Sequence, residues 1–98
     1  MKTEVRWSDQ VAAFVSMLPP DAKKKLRAGI RALVSDTGDI RPLVDELTGF
    51  QRLRVGEFRV IYIDIFEHGK RVRFCLFAER RDVVYELFRK MVLDDIRN

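Results

Sequence analysis

Phe50-Gln51-Arg52-Leu53-Arg54-Val55-Gly56-Glu57-Phe58-Arg59-Val60-Ile61-Tyr62-Ile63-Asp64-Ile65-Phe66 is the stretch that decides the fold of this chain. Its period is two, the signature of a β-strand. From Phe50 to Val55, Arg52 and Arg54 fall on one face and Leu53 and Val55 on the other. Gly56-Glu57 interrupts the pattern as a tight hairpin connection. Phe58 to Phe66 then carries Val60, Ile61, Tyr62, Ile63 and Ile65 almost without relief. A strand that apolar is expected at the centre of a sheet, covered on much of both faces.

Toward the C-terminus, Glu67-His68-Gly69-Lys70 reads as the next turn, and Arg71 to Glu79 alternates again. Val72, Phe74 and Leu76 are expected to point one way, and Arg71, Arg73, Cys75 and Phe77 the other. After Arg80-Arg81-Asp82 the period lengthens, with Val84, Leu87, Phe88 and Met91 at the spacing of an amphipathic helix. Toward the N-terminus, Ile40 to Gly49 is irregular, punctuated by Pro42 and Gly49. Before it come two short helices. Ser8 caps the first, which carries Val11, Phe14, Val15 and Leu18. Pro19-Pro20 ends that helix and opens the second, with Asp21 favourable at its start. Leu26, Ile30, Leu33 and Val34 form the apolar stripe of the second helix, and Gly38 is its expected stop. Glu4 to Trp7 reads as a short first strand. The expectation is a single α+β domain spanning residues 1–98, ordered β-α-α-β-β-β-α. A helical hairpin packs on one face of an antiparallel sheet and a C-terminal helix completes it. The opposite face is left partly open, with arginines available to line it.

Charge follows the same division. Eight of the nineteen Lys and Arg residues lie between Gln51 and Arg81, against only Glu57, Asp64, Glu67 and Glu79. That third of the chain therefore holds a net +4, equal to the charge of the whole protein. Fixed guanidinium groups on a sheet face are hard to explain as packing and suit phosphates or carboxylates. A pI near 9.6 points to nucleic acid or an acidic protein as partner.

Other chemistry finds little support. The single Cys75 lies inside an apolar strand and reads as a buried structural thiol, which fits a reducing, cytoplasmic setting. His68, the one histidine, sits in a turn. Asp94-Asp95 points to two faces of its helix, so no metal site and no cofactor are expected. Met1 opens a short charged stretch without an apolar core, so no signal peptide is expected, and no uncharged run is long enough to span a membrane. Lys23-Lys24-Lys25 reads as a solvated helix face, the alternative being a diffuse, salt-sensitive attraction for RNA that carries no specificity.

Two segments carry a family likeness. Leu47-Thr48-Gly49-Phe50-Gln51-Arg52-Leu53-Arg54-Val55-Gly56-Glu57-Phe58-Arg59-Val60-Ile61-Tyr62 and Glu79-Arg80-Arg81-Asp82-Val83-Val84-Tyr85 together resemble the RelE/ParE superfamily of toxins from toxin–antitoxin modules. The RelE branch, as the resemblance implies, enters the ribosomal A site and cuts mRNA without a metal. The 2′-hydroxyl attacks the adjacent phosphate while basic side chains stabilise charge and move protons. On this chain the resemblance implies Arg52, Arg54, Arg71, Arg73 and Arg80 as RNA contacts. It implies Arg59 and Arg81 as transition-state groups, and Tyr85 as the ring that orients a base. Glu79 stands where that branch has a basic residue, and is either the general base or a salt-bridge partner. The ParE branch implies instead a non-catalytic inhibitor of DNA gyrase, and an inactive relative that only binds an acidic partner is a third reading. Either branch implies a cognate antitoxin as partner.

Overall fold

Strand β1 (Lys2–Trp7) leads through Ser8 into helix α1 (Asp9–Ser16), and Pro20 opens α2 (Pro20–Arg31). The order continues through β2 (Asp39–Pro42), β3 (Gln51–Val55), β4 (Phe58–Glu67), β5 (Lys70–Arg80) and α3 (Val84–Arg97). The computed structural model describes residues 2–97, with side chains as far as Asp94. The expectations that fell on Met1 and on the Asp95 carboxylate lie outside them. No helix among the described residues is long and apolar enough to cross a membrane.

Local chemistry sets the helix ends. The Ser8 hydroxyl accepts from the Val11 N–H at 3.2 Å, the N-cap arrangement its position suggests. Pro20 occupies the first turn of α2, where its missing N–H costs nothing. The stop differs from expectation. A 3-10 turn at Ala32–Ser35 follows α2, and Asp36, not Gly38, takes the left-handed cap conformation at φ 56°. That tightening buries Leu33 and leaves Val34 at the surface.

The sheet has five strands in the order β1-β5-β4-β3-β2. It is mixed rather than wholly antiparallel, because β1 runs parallel to β5, from Lys2 against Lys70 to Trp7 against Cys75. The helical hairpin and strands β2 to β4 lie between them, the long connection that parallel neighbours require. Strand β2 was not apparent in the sequence. Asp-Ile-Arg-Pro is short, mostly exposed and ends in proline, and it pairs only as the outer edge beside β3.

Two apolar layers sandwich the sheet. On the near face, Val11, Val15, Leu26, Ile30 and Leu33 of the hairpin region pack on Leu53, Phe58, Val60, Tyr62, Cys75 and Ala78. On the far face, Val84 and Phe88 of α3 close over Ile61 and Leu47. Phe88 meets the Phe50 ring edge-on at 5.0 Å between centroids. Helix α2 comes so close to β3 that a Cβ on Gly29 would lie 2.6 Å from a Val55 methyl.

Strand β5 does not keep its alternation. Ile61 faces Phe77 while Tyr62 faces Cys75, so Leu76 is an extra residue in a β-bulge. Leu76 and Phe77 both join the far cluster, and Phe77 is therefore on the face opposite Cys75. The start of α1 holds the irregular backbone in place. The Ser8 hydroxyl donates to the Leu76 carbonyl at 2.8 Å, and the Gln10 amide both donates to and accepts from the Ala78 backbone, each at 2.8 Å.

Candidate nucleic-acid interface

The two-residue turn Gly56-Glu57 throws Arg59 back across the hairpin from Arg54, its ladder partner. Arg52, Arg54 and Arg59 share the far face with Ile61, at the margin of the ground covered by α3. Arg59 is 8 % exposed, yet it has no carboxylate partner among the described residues. Its Nη1 donates to the Gly56 and Phe58 carbonyls, both at 2.9 Å, which ties the guanidinium to the turn. Nε and Nη2 have no acceptor among the described residues and are not sealed from solvent. Burial, and then the charge of Arg54, lower the Arg59 pKa, with Arg52 and Arg81 adding to the repulsion and Tyr85 opposing it. Three further guanidiniums and one phenol thus act on a single buried cation.

The remaining residues reach the site by different routes. The Arg81 N–H donates to the Glu57 carbonyl at 2.8 Å, pinning the segment before α3 to the β3–β4 turn. Tyr85 follows in the first turn of α3, half-buried against the far cluster. Glu79 faces Arg59 across the β4–β5 ladder but forms no ion pair with it; its Oε1 accepts from the Arg80 N–H at 3.2 Å. Arg52 is held by Asp39 at 3.4 Å, a carboxylate supplied by the unexpected edge strand. The same Asp39 lies 3.9 Å from the more exposed Arg54.

Three sequence-predicted contacts lie elsewhere. The register puts Arg80 opposite Phe58, on the near-face side, where its nearest acid is Glu57 at 3.7 Å. Arg71 and Arg73 face the helices with Cys75, because they precede the bulge. Arg73 is 6 % exposed and closely partnered, although its Nε makes no hydrogen bond. It donates to the Leu33 carbonyl at 3.1 Å, meets Asp36 at 2.7 Å and lies 5.3 Å from the centre of the Tyr62 ring. Asp64 is within ion-pair distance at 3.3 Å, but without the alignment of a hydrogen bond. Arg71 shares the Asp36 carboxylate at 2.9 Å. Asp36, Asp39 and Gln10 organise this arrangement and carry no mark in the sequence beyond being polar residues at element ends.

Cys75 is fully buried, and burial pushes its thiol up to about 12. It is inert at neutral pH. His68 sits exposed in the β4–β5 turn at φ 51°. No cluster of three metal-ligating side chains occurs among the described residues.

No family model and no curated protein sequence matches this chain. Solved structures do. A chain of the RelBE2 toxin–antitoxin complex from Mycobacterium tuberculosis is 23% identical, with a TM-score of 0.64 over 83% of this chain and 93% of that one. The archaeal RelE–RelB complex from Pyrococcus horikoshii gives 24% identity and a TM-score of 0.62, covering 83% and 97%. A YoeB/ParE toxin from Agrobacterium tumefaciens gives 15% and 0.65, covering 80% and 98%. The likeness spans nearly the whole of each neighbour, and the chain has the fold of the RelE/ParE toxins.

Proposed function

We propose that this protein is the toxin of a toxin–antitoxin pair, an endoribonuclease of the RelE kind that cuts mRNA on the ribosome and is held inactive by a cognate antitoxin. The observation that carries this reading is Arg59: a buried guanidinium with two free donor nitrogens, no carboxylate partner among the described residues, and Arg52, Arg54 and Arg81 around it. Such an arrangement is unfavourable for the protein alone and becomes favourable when a polyanion enters. Attack of a 2′-hydroxyl on phosphorus adds charge to the non-bridging oxygens. Donors already in place stabilise that charge more than the ground state. In this reading Arg59 binds the scissile phosphate and Arg52 and Arg54 bind its neighbours. Arg81 protonates or stabilises the leaving oxygen, and Tyr85 orients a base.

Proton removal from the hydroxyl falls to Glu79, the carboxylate in register with Arg59. Glu79→Gln separates a base from a charge partner: the first loses turnover steeply, the second only slightly. Primer extension on mRNA engaged by translating ribosomes tests the whole reading. New 5′ ends are expected, and protein that inhibits growth without producing them would refute cleavage.

One feature favours a second reading, a gyrase inhibitor of the ParE kind. Every cation at the site is an arginine, which rests protonated at neutral pH and so cannot itself take a proton as base. Loss of supercoiling by purified gyrase at saturating protein is the result that reading requires.

A further inference from the structure

The basic residues that lack counter-charges are not confined to the arginine cluster. Arg6, Arg52, Arg54, Lys70, Arg71, Arg73, Arg80 and Arg89 all lie within ion-pair distance of acids. Lys23, Lys24, Arg27 and Arg31 of α2 form no ion pair with any described residue. Residues 23, 27 and 31 recur every four positions, one ridge of the helix with about 6 Å of rise between members. Lys24 flanks them.

The ridge also has shape. Two grooves share Arg27 and Arg31 as a common wall. One, of about 400 Å³, runs between α2 and β1 and is completed by Val5, Trp7 and Val34. The other, of about 460 Å³, continues along Pro20, Lys23, Lys24 and Ala28. Pro20 and Ala28 are the only apolar residues along the second groove and both are small, so it offers no socket for the large hydrophobic anchor on which protein partners depend. It offers instead a straight row of evenly spaced cations, with an aromatic ring at one end only.

We infer that the outer ridge of α2 is a second RNA-binding surface, for the phosphate backbone of an RNA stem, with an unpaired base adjoining that stem received beside Trp7. The row of cations follows successive phosphates, and the two arginine forks contact phosphate oxygens in pairs. Trp7 adds base stacking, which tolerates any sequence. This surface is independent of the cleavage reading, since it uses none of the far-face residues.

Trp7 is the only tryptophan, so its fluorescence reports the groove directly. Titration of the full chain with a short hairpin RNA is expected to quench it with an affinity that falls as salt rises. Arg27 and Arg31 are both exposed, so their removal leaves the fold intact by circular dichroism. The double variant Arg27→Ala/Arg31→Ala should bind the hairpin about tenfold more weakly, and its slope of log K on log salt should shrink by about two. Lys90→Ala, which removes one exposed charge from α3 outside both the ridge and the arginine cluster, should bind the hairpin as the parent does. Unchanged affinity in the double variant would overturn the inference. So would displacement of the hairpin by polyglutamate at equal charge, which would assign the ridge to an acidic protein.

Discussion

Arg59 and Arg73 are buried to nearly the same degree, at 8 % and 6 % exposure, on adjacent strands of one sheet. Their surroundings are opposite. Arg73 is matched by Asp36, approached by Asp64, capped by the Leu33 carbonyl and laid against Tyr62. Arg59 has two carbonyls on one nitrogen and like charges beyond. Burial alone does not distinguish an arginine that holds a fold together from one that we propose binds a ligand. The presence or absence of a carboxylate does.

Removing each side chain should break the comparison most visibly. Arg73→Ala strands Asp64 and frees the Leu33 carbonyl. It should cost about 3 kcal/mol of stability in urea denaturation, the penalty of halving a buried pair. Arg59→Ala should change stability by about 1 kcal/mol or less, since only hydrogen bonds to carbonyls are lost while repulsion is relieved. Its effect belongs in the cleavage assay, as a loss of roughly 10²–10³ in rate, the scale of one donor to a developing oxyanion. A large stability loss in Arg59→Ala with activity retained would reverse the assignment.

A third test uses pH on the near face. The Cys75 thiol has its pKa raised from 9.0 to about 12 by burial. Below pH 9 it is protonated whether the chain is folded or not. Above that, the unfolded chain releases the proton while the folded protein retains it, so stability falls as pH rises toward 12. The slope should be about 1.4 kcal/mol per pH unit and absent from Cys75→Ala, measured as the difference between the two denaturation profiles. The smallest effect is expected at Asp36. It is 61% exposed at its side chain, so Asp36→Asn should cost about 1 kcal/mol, well short of Arg73→Ala.

The sequence made much of this legible where one face of an element decides its period. Leu53 and Val55 against Arg52 and Arg54 were sorted correctly, as were Val72 and Phe74 against Arg71 and Arg73. The hairpin of helices and the final helix follow from their apolar stripes. What escaped depends on contacts distant in sequence. The parallel direction of β1 is set by β5, some seventy residues on. Edge strand β2 exists only because β3 offers a ladder. The residues from Gln51 to Arg81 form one basic block along the chain, but the fold divides them between two faces and neutralises most of them. Conversely, the sequence shows Lys23-Lys24-Lys25 as a basic run, but only the structure shows that Lys23, Lys24, Arg27 and Arg31 line two adjoining grooves without forming an ion pair to a described residue.

The inserted residue at Leu76 has a consequence for how this protein can vary. Upstream of it, the odd-numbered positions of β5 are answerable to the helical hairpin; downstream, those from Phe77 to Glu79 turn to the opposite face, where Phe77 packs under α3. One strand therefore serves two masters without compromise, and changes in its second half need not be reconciled with the first. Deleting a single residue there would exchange the two faces over that half, so the strand tolerates substitution far more readily than a change in length.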